Sequence, residues 1–224
     1  MNDNVVNKKS FLSQVTEIVK TNIRNIIILL SLCFVLFLSF QIYSFYISNK
    51  IQKNSISFFS AQNTDDTSVI TDTITKLSND NTFYGVLAKL ELIDLTLKQN
   101  NIEDSISMYR EIINQNNLES VYKSAIASKA SYQLIDINFE NLSLNYLNII
   151  NDFISYIDDE TDSYKGIKLE LKYLIKILEV EKNSIDYSSF NEVNDIYENI
   201  MNSDVVSSAI KERVNKIHEF YSNK

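Results

Sequence analysis

The sequence predicts an all-α protein: an N-terminal transmembrane helix followed by a stack of helical hairpins. Three observations carry this expectation. Residues 26–47, IIILLSLCFVLFLSFQIYSFYI, contain no charged side chain. From residue 69 onward, apolar residues recur at spacings of three and four, the period of a helix face. Polar breaks rich in Asn interrupt that period about every 15 to 20 residues. With no proline and only two glycines, Gly85 and Gly166, Asn must mark the turns that Gly and Pro mark elsewhere.

The apolar run comes first. As a helix it spans about 33 Å at 1.5 Å per residue, which matches a hydrocarbon core of about 30 Å. A secretory signal has a shorter apolar region, about 7 to 15 residues, closed by a small-x-small cleavage site. This run is longer and ends in Tyr43, Phe45 and Tyr46, residues suited to the headgroup level. Leu30-Ser31-Leu32-Cys33 does not make a lipoprotein cleavage box, because Leu32 stands where that box requires a small residue. Cys33 is therefore read as a small apolar residue. Gln41 either bonds to a neighbouring helix or lies at the membrane interface.

The flanks give an orientation. Lys8, Lys9, Lys20 and Arg24 precede the span, whereas only Lys50 and Lys53 closely follow it. That asymmetry places the N-terminus in the cytoplasm and the C-terminal domain on the exported side. Residues 1–24 read as a cytoplasmic amphipathic tail, with Phe11, Leu12, Val15, Ile18, Val19 and Ile23 on one stripe against the inner surface. Residues 25–47 are the span, 48–68 a linker or loosely extended helix, and 69–224 the helical domain. Residues 1–53 carry net charge +4, so the overall −8 leaves −12 on residues 54–224. A domain that acidic is a poor match for phosphate backbones, so nucleic acid is excluded as a partner. The one cysteine permits no intramolecular disulfide.

Within the domain, helices are expected at 69–78, 82–99, 102–115, 119–136, 141–157, 162–182, 188–201 and 204–221. The breaks fall at Asn79–Asn81, Asn100–Asn101, Asn116–Asn117, Asn138–Asn141, Asp158–Thr161, Asn183–Asp186 and Asn202–Asp204. Loops this short make sequential helices antiparallel. The second helices of the hairpins share one pattern: Ser105, Tyr109 and Ile112; Ser143, Leu147 and Ile150; Val193, Tyr197 and Ile200. Each triple has offsets of 0, +4 and +7, and the triples are 38 and then 50 residues apart. In a tetratricopeptide repeat the corresponding positions are small, large and then small or apolar, with a period of about 34. Leu92 and Ser131 fit the first helices of such a repeat; Lys89 and Thr96 stand where aromatics belong.

The tail FLSQVTEIVK, the span, and the segments YGVLAKLELIDLTLKQNNIEDSISMYREIIN and YKSAIASKASYQLIDINFENLSLNYLNIINDF resemble a family. It comprises bacterial single-pass membrane proteins with a periplasmic tetratricopeptide-like (TPR-like) domain, such as the ancillary subunit of the Sec translocon. The resemblance implies a membrane-tethered adaptor that binds unfolded or extended protein segments beside the translocon or a periplasmic chaperone. An envelope scaffold in cell division or wall assembly would use the same architecture on another partner. The third hairpin, lengthened around Asn183–Ser189, departs from the family.

No enzyme constellation is assembled in the sequence, and neither an activity nor a cofactor is expected. His218 is the single histidine, no Cys and His set has metal spacing, and no glycine-rich loop follows a strand. Asp158, Asp159, Glu160 and Asp162 lack the central glycine and alternation of a calcium loop. Two surface features remain. Lys165, Lys168, Lys172 and Lys176 form a basic ridge along one helix face. Tyr122, Tyr132, Tyr164 and Tyr173 fall on helices that would line the concave side of a repeat stack. The first helices of the hairpins should supply the binding surface, which selects Lys129, Tyr132 and Asp136 on one helix and Lys168, Lys172 and Tyr173 on the next.

Overall fold

The computed structural model describes residues 11–143, 145–158, 162–184 and 191–223. The described chain is all-helical. Its elements are α1 (Phe11–Gln62), α2 (Thr67–Ser78), α3 (Phe83–Lys98), α4 (Ile102–Ile113), α5 (Ser120–Glu140), α6 (Leu147–Ser155), α7 (Asp162–Asn183), α8 (Asn191–Asn202) and α9 (Ser208–Ser222). The start expected at residue 188 for the seventh helix of the domain lies outside the described residues, as do Asp159, Glu160 and the side chains of Asp162, Phe11, Leu12, Val15, Ile18 and Val19.

Two compact units divide the chain, one holding Met1–Thr73 with Thr82–Tyr84, the other Ile74–Asn81 with Gly85–Lys224. The first unit is dominated by α1, a helix of 52 residues that extends about 78 Å. Its segment Lys20–Gln62 is long and apolar enough to cross a membrane, and the side chains of residues 27–46 are exposed. Residues 48–62 continue the helix, the second of the two forms expected for this stretch. Ser, Asn, Gln and Lys in this stretch lower its hydropathy, but none of them stops a helix as Pro or Gly would. Its far end is held by side chains of the same unit: the Asn54 amide donates to Thr82 Oγ1 at 3.0 Å, and Phe58 packs its ring against Tyr84. The helix ends where Asn63 folds back to donate its side chain to the Phe59 carbonyl. Asp66 then caps α2, accepting from the Ser68 and Val69 backbone amides.

In the second unit the helices pack in chain order. α5 contacts α4, α6 and α7; α7 contacts α6, α8 and α9; α8 contacts α9. From α5 on, each first helix of a pair therefore lies beside the next first helix. The turns are made by Asn, as the composition requires. At the end of α3, Asn100 adopts φ 62°, and the Asn100 and Asn101 amides donate to the carbonyls of Leu97 and Thr96. Those bonds form a Schellman closure with Asn in the place usual for Gly. Asn101 then caps α4 by accepting from the Asp104 amide. Gly85 is required by contact: a Cβ there would lie 1.9 Å from the Asp80 carbonyl oxygen.

α5 sits in the middle because its side chains are small. Ser124, Ala127, Ser128, Ala130 and Ser131 are buried, and the Ser128 and Ser131 hydroxyls donate to the carbonyls of Ser124 and Ala127 in their own helix. Neighbouring backbones can approach closely with no polar group stranded. One apolar cluster gathers Ile93, Tyr109, Ile112, Ile135, Ile150, Phe153 and Leu171; a second gathers Tyr173, Ile177, Val193, Ile200, Ile210 and Val214.

Burial follows the first of the three expected triples throughout, the third in part and the second least. Ser105, Tyr109 and Ile112 are all buried, as are Val193 and Ile200, with Tyr197 half-buried and donating to Asn215. In the middle hairpin only Ile150 is fully buried; Ser143 is exposed and Leu147 half-buried. The reason lies at Asn138, expected as a break but buried within α5. Its amide donates to the Leu134 carbonyl, while its Oδ1 accepts from the Tyr146 backbone. That bond carries α5 on to Glu140, ties down the following loop and starts α6 at Leu147, six residues later than expected.

Candidate protein-binding face

The first helices α3, α5, α7 and α9 are joined laterally by polar side chains. Between α3 and α5, Asp94 accepts from Lys129 Nζ at 2.7 Å and from Gln133 Nε2 at 3.0 Å. Gln133 in turn accepts from the Tyr109 hydroxyl of α4. Between α5 and α7, the Tyr132 hydroxyl donates to Glu170 Oε2 at 2.7 Å. Between α7 and α9, Arg213 grips the same carboxylate in a two-pronged contact, Nε to Oε1 at 2.8 Å and Nη2 to Oε2 at 2.7 Å. Glu170 is 2 % exposed. A carboxylate so deep persists only because charge-assisted bonds replace its water. Burial, reinforced by Glu170, holds the Tyr132 hydroxyl neutral well above the usual phenol range, and burial with the Asp94 charge does the same for Tyr109.

This geometry sorts the six residues expected to bind. Tyr173 is fully buried in the second cluster and offers no surface, which corrects the expectation. It falls on the apolar face of α7, where a ring this large is core material. Tyr132 is half-buried with its hydroxyl committed to Glu170, and Lys129 is paired with Asp94; both are structural ties. Lys168 donates to the Ile157 carbonyl at 3.0 Å, fastening the loop after α6. Asp136 and Lys172 remain exposed. The basic ridge is likewise divided: Lys165 and Lys172 face solvent, while Lys176 bridges Glu179 at 2.8 Å and Glu192 at 2.9 Å.

Asp136 borders a groove of about 390 Å³ between the end of α3, the start of α4 and the second half of α5. Leu97, Ile102 and Ile137 give it an apolar floor; Asn100, Gln133, Glu140 and Asn141 give it polar edges. Desolvation at the groove wall, then Glu140, pushes the Asp136 carboxyl above its ordinary value. Such a groove can take one or two side chains of an extended segment, with hydrogen-bonding groups at its rim. Among the described residues no group of His, Cys, Asp and Glu is placed to hold a metal ion. His218 is stacked flat on Tyr197 at 3.7 Å, a packing contact.

Sequence reasoning passed over Glu170 and Arg213. The available signal was Glu170 itself, a charge on the α7 face that otherwise carries Gly166, Tyr173 and Ile177. Comparison with protein-family models, with curated proteins and with solved structures finds nothing that matches this chain.

Proposed function

We propose that the chain is a single-pass membrane protein whose helical stack is TPR-like and serves as a protein-binding adaptor. The observation that carries this reading is a helix apolar and exposed enough to cross a bilayer, followed in the same chain by helices of which α5, α7 and α9 lie side by side. Side-by-side first helices are the arrangement that creates the inner surface of a repeat stack. The groove beside Asp136 and the exposed Lys172 are its contact points. The lysines before the span orient the N-terminus to the cytoplasm and the stack to the periplasm. In that place the adaptor serves the Sec translocon or periplasmic chaperones by holding extended protein segments. With few anchors the binding is weak, about micromolar or poorer.

The test is site-specific photocrosslinking in living cells from Asp136 and Lys172, with Glu212 on α9 as a control. Adducts to translocon subunits, chaperones or exported proteins from the first two positions support the proposal. Adducts to division or wall-assembly proteins transfer the stack to an envelope scaffold. Labelling from Glu212 equal to that from Asp136 and Lys172 rejects the groove as the binding face.

A further inference from the structure

α1 carries an apolar seam that continues beyond the membrane-length run. Ile28, Val35, Ile42, Asn49 and Ile56 recur every seven residues, and Ser31, Leu38, Phe45, Gln52 and Phe59 recur three residues after each of them. This alternation of three and four is the a and d pattern of a left-handed coiled coil. The seven apolar members are all exposed, from 44 % at Leu38 to 71 % at Ile42. In the part beyond the apolar run, the buried residues Asn54, Phe58 and Ala61 lie on the other side of the helix from Asn49, Gln52, Ile56 and Phe59. Asn49 is half-buried and the Phe59 ring meets Tyr84 edge-on at 6.1 Å; the other seam positions are turned away from the face that the chain itself covers.

From this pattern we infer that α1 pairs in parallel and in register with α1 of a second copy of this chain, forming a two-stranded coil from Ile28 to Phe59. The inference rests on the reading of α1 as an intact membrane anchor, which gives every copy the same orientation. Four features select a second copy as the occupant. The a positions are β-branched except for one Asn, the composition that favours two parallel strands. In register, Asn49 meets Asn49 and Gln52 meets Gln52, so each amide finds a matching partner. Lys53, at e, faces Ser48 of the other helix at g, so no like charges oppose each other. Seam and flanking positions amount to about twenty residues per helix, a number that buries about 800 Å² per partner, as a stable dimer needs. Within the span, left-handed crossing at about 20° is the common geometry, and Ser31 lets the helices approach closely.

The single native cysteine supplies the control, because Cys33 falls at the f position, outside the seam. In a Cys33→Ser chain, cysteines are introduced singly at Ile42, Phe45 and Gln52 on the seam, and at Phe40, Ile47 and Ile51 off it. Full-length protein in native membranes is oxidised, and the disulfide-linked dimer is measured after alkaline extraction. Seam positions should give several-fold more dimer than off-seam positions, with the native Cys33 chain in the low group. Equal crosslinking at all positions, or none at the seam, in an intact and membrane-integral chain overturns the inference and leaves the anchor reading standing. A shortened or extractable chain overturns the anchor and the seam together.

Discussion

Removing the Arg213 side chain tests whether the α5–α7–α9 junction is held by the buried carboxylate of Glu170. Arg213→Ala takes away both bonds to Glu170, leaving only the Tyr132 hydroxyl on a side chain that is 3 % exposed. Breaking an ion pair with neither partner near water costs about 3–5 kcal/mol. Here the Arg213 side chain is 55 % exposed, so water follows into the vacated space. The expected cost falls to about 1.5–3 kcal/mol, the range for hydrogen bonds to a charged group. For a chain of this size about 2 kcal/mol lowers the Tm by about 4–8 °C. Glu170→Ala should cost at least as much, since it strands the Tyr132 hydroxyl as well. Changing both Glu170 and Arg213 to Met should cost less than Arg213→Ala, because no charge then remains buried. The assay is thermal unfolding of the full chain in detergent micelles, followed by circular dichroism at the helix band. Lys216→Ala is the control, since the Lys216–Glu212 pair is about 70 % exposed on both sides and such pairs contribute under about 1 kcal/mol. Arg213→Ala no more damaging than Lys216→Ala would refute the reasoning, and Glu170 would then be a solvated charge.

Three further outcomes follow from packing and titration. Ile150→Ala should cost about 2–5 kcal/mol and Leu147→Ala clearly less, because only Ile150 is fully buried; chemical denaturation of the two variants checks the order. Gly85→Ala should destabilise the α2–α3 turn strongly, since its Cβ would meet the Asp80 carbonyl oxygen, and faster proteolysis there than in Gly166→Ala is the readout. Desolvation, partly opposed by Glu198 and Glu219, holds His218 below its ordinary value of 6.5. The unfolded chain therefore takes up that proton first, so the contribution is complete above about pH 6.5 and is lost as pH falls below it. His218→Gln should flatten this part of the stability-against-pH curve, and an unchanged slope would contradict the assignment.

Helix positions were legible because the breaks are chemical. Asn100, Asn101, Asn183 and Asn202 sit where helices stop, and the apolar spacing between them is regular. Side-chain commitments that depend on a distant partner were not legible. Asn138 has the composition of a break, yet a bond to the Tyr146 backbone keeps it inside α5 and moves the start of α6. Tyr132 and Tyr173 share a residue type and a helix class but differ in phase by enough to put one at a polar junction and the other in the core. Lys129 and Lys168 look like a basic surface until Asp94 and the Ile157 carbonyl are brought to them from 35 and 11 residues away in the chain. Lys172 kept its exposure, and Asp136 stays exposed at the rim of the groove beside α3 and α4. Continuation of α1 past residue 47 was masked by polarity, although nothing in residues 48–62 breaks a helix.

The most direct test of a membrane-held adaptor is the location and size of the C-terminus. A reporter that is active only after export is fused behind Lys224, and its activity is read together with an immunoblot of alkaline-extracted membranes. The account predicts an active reporter on a chain of full length that stays in the membrane pellet. An inactive reporter would contradict the orientation, and an active reporter on a shortened, released chain would show that the apolar helix is removed instead of holding the stack in place.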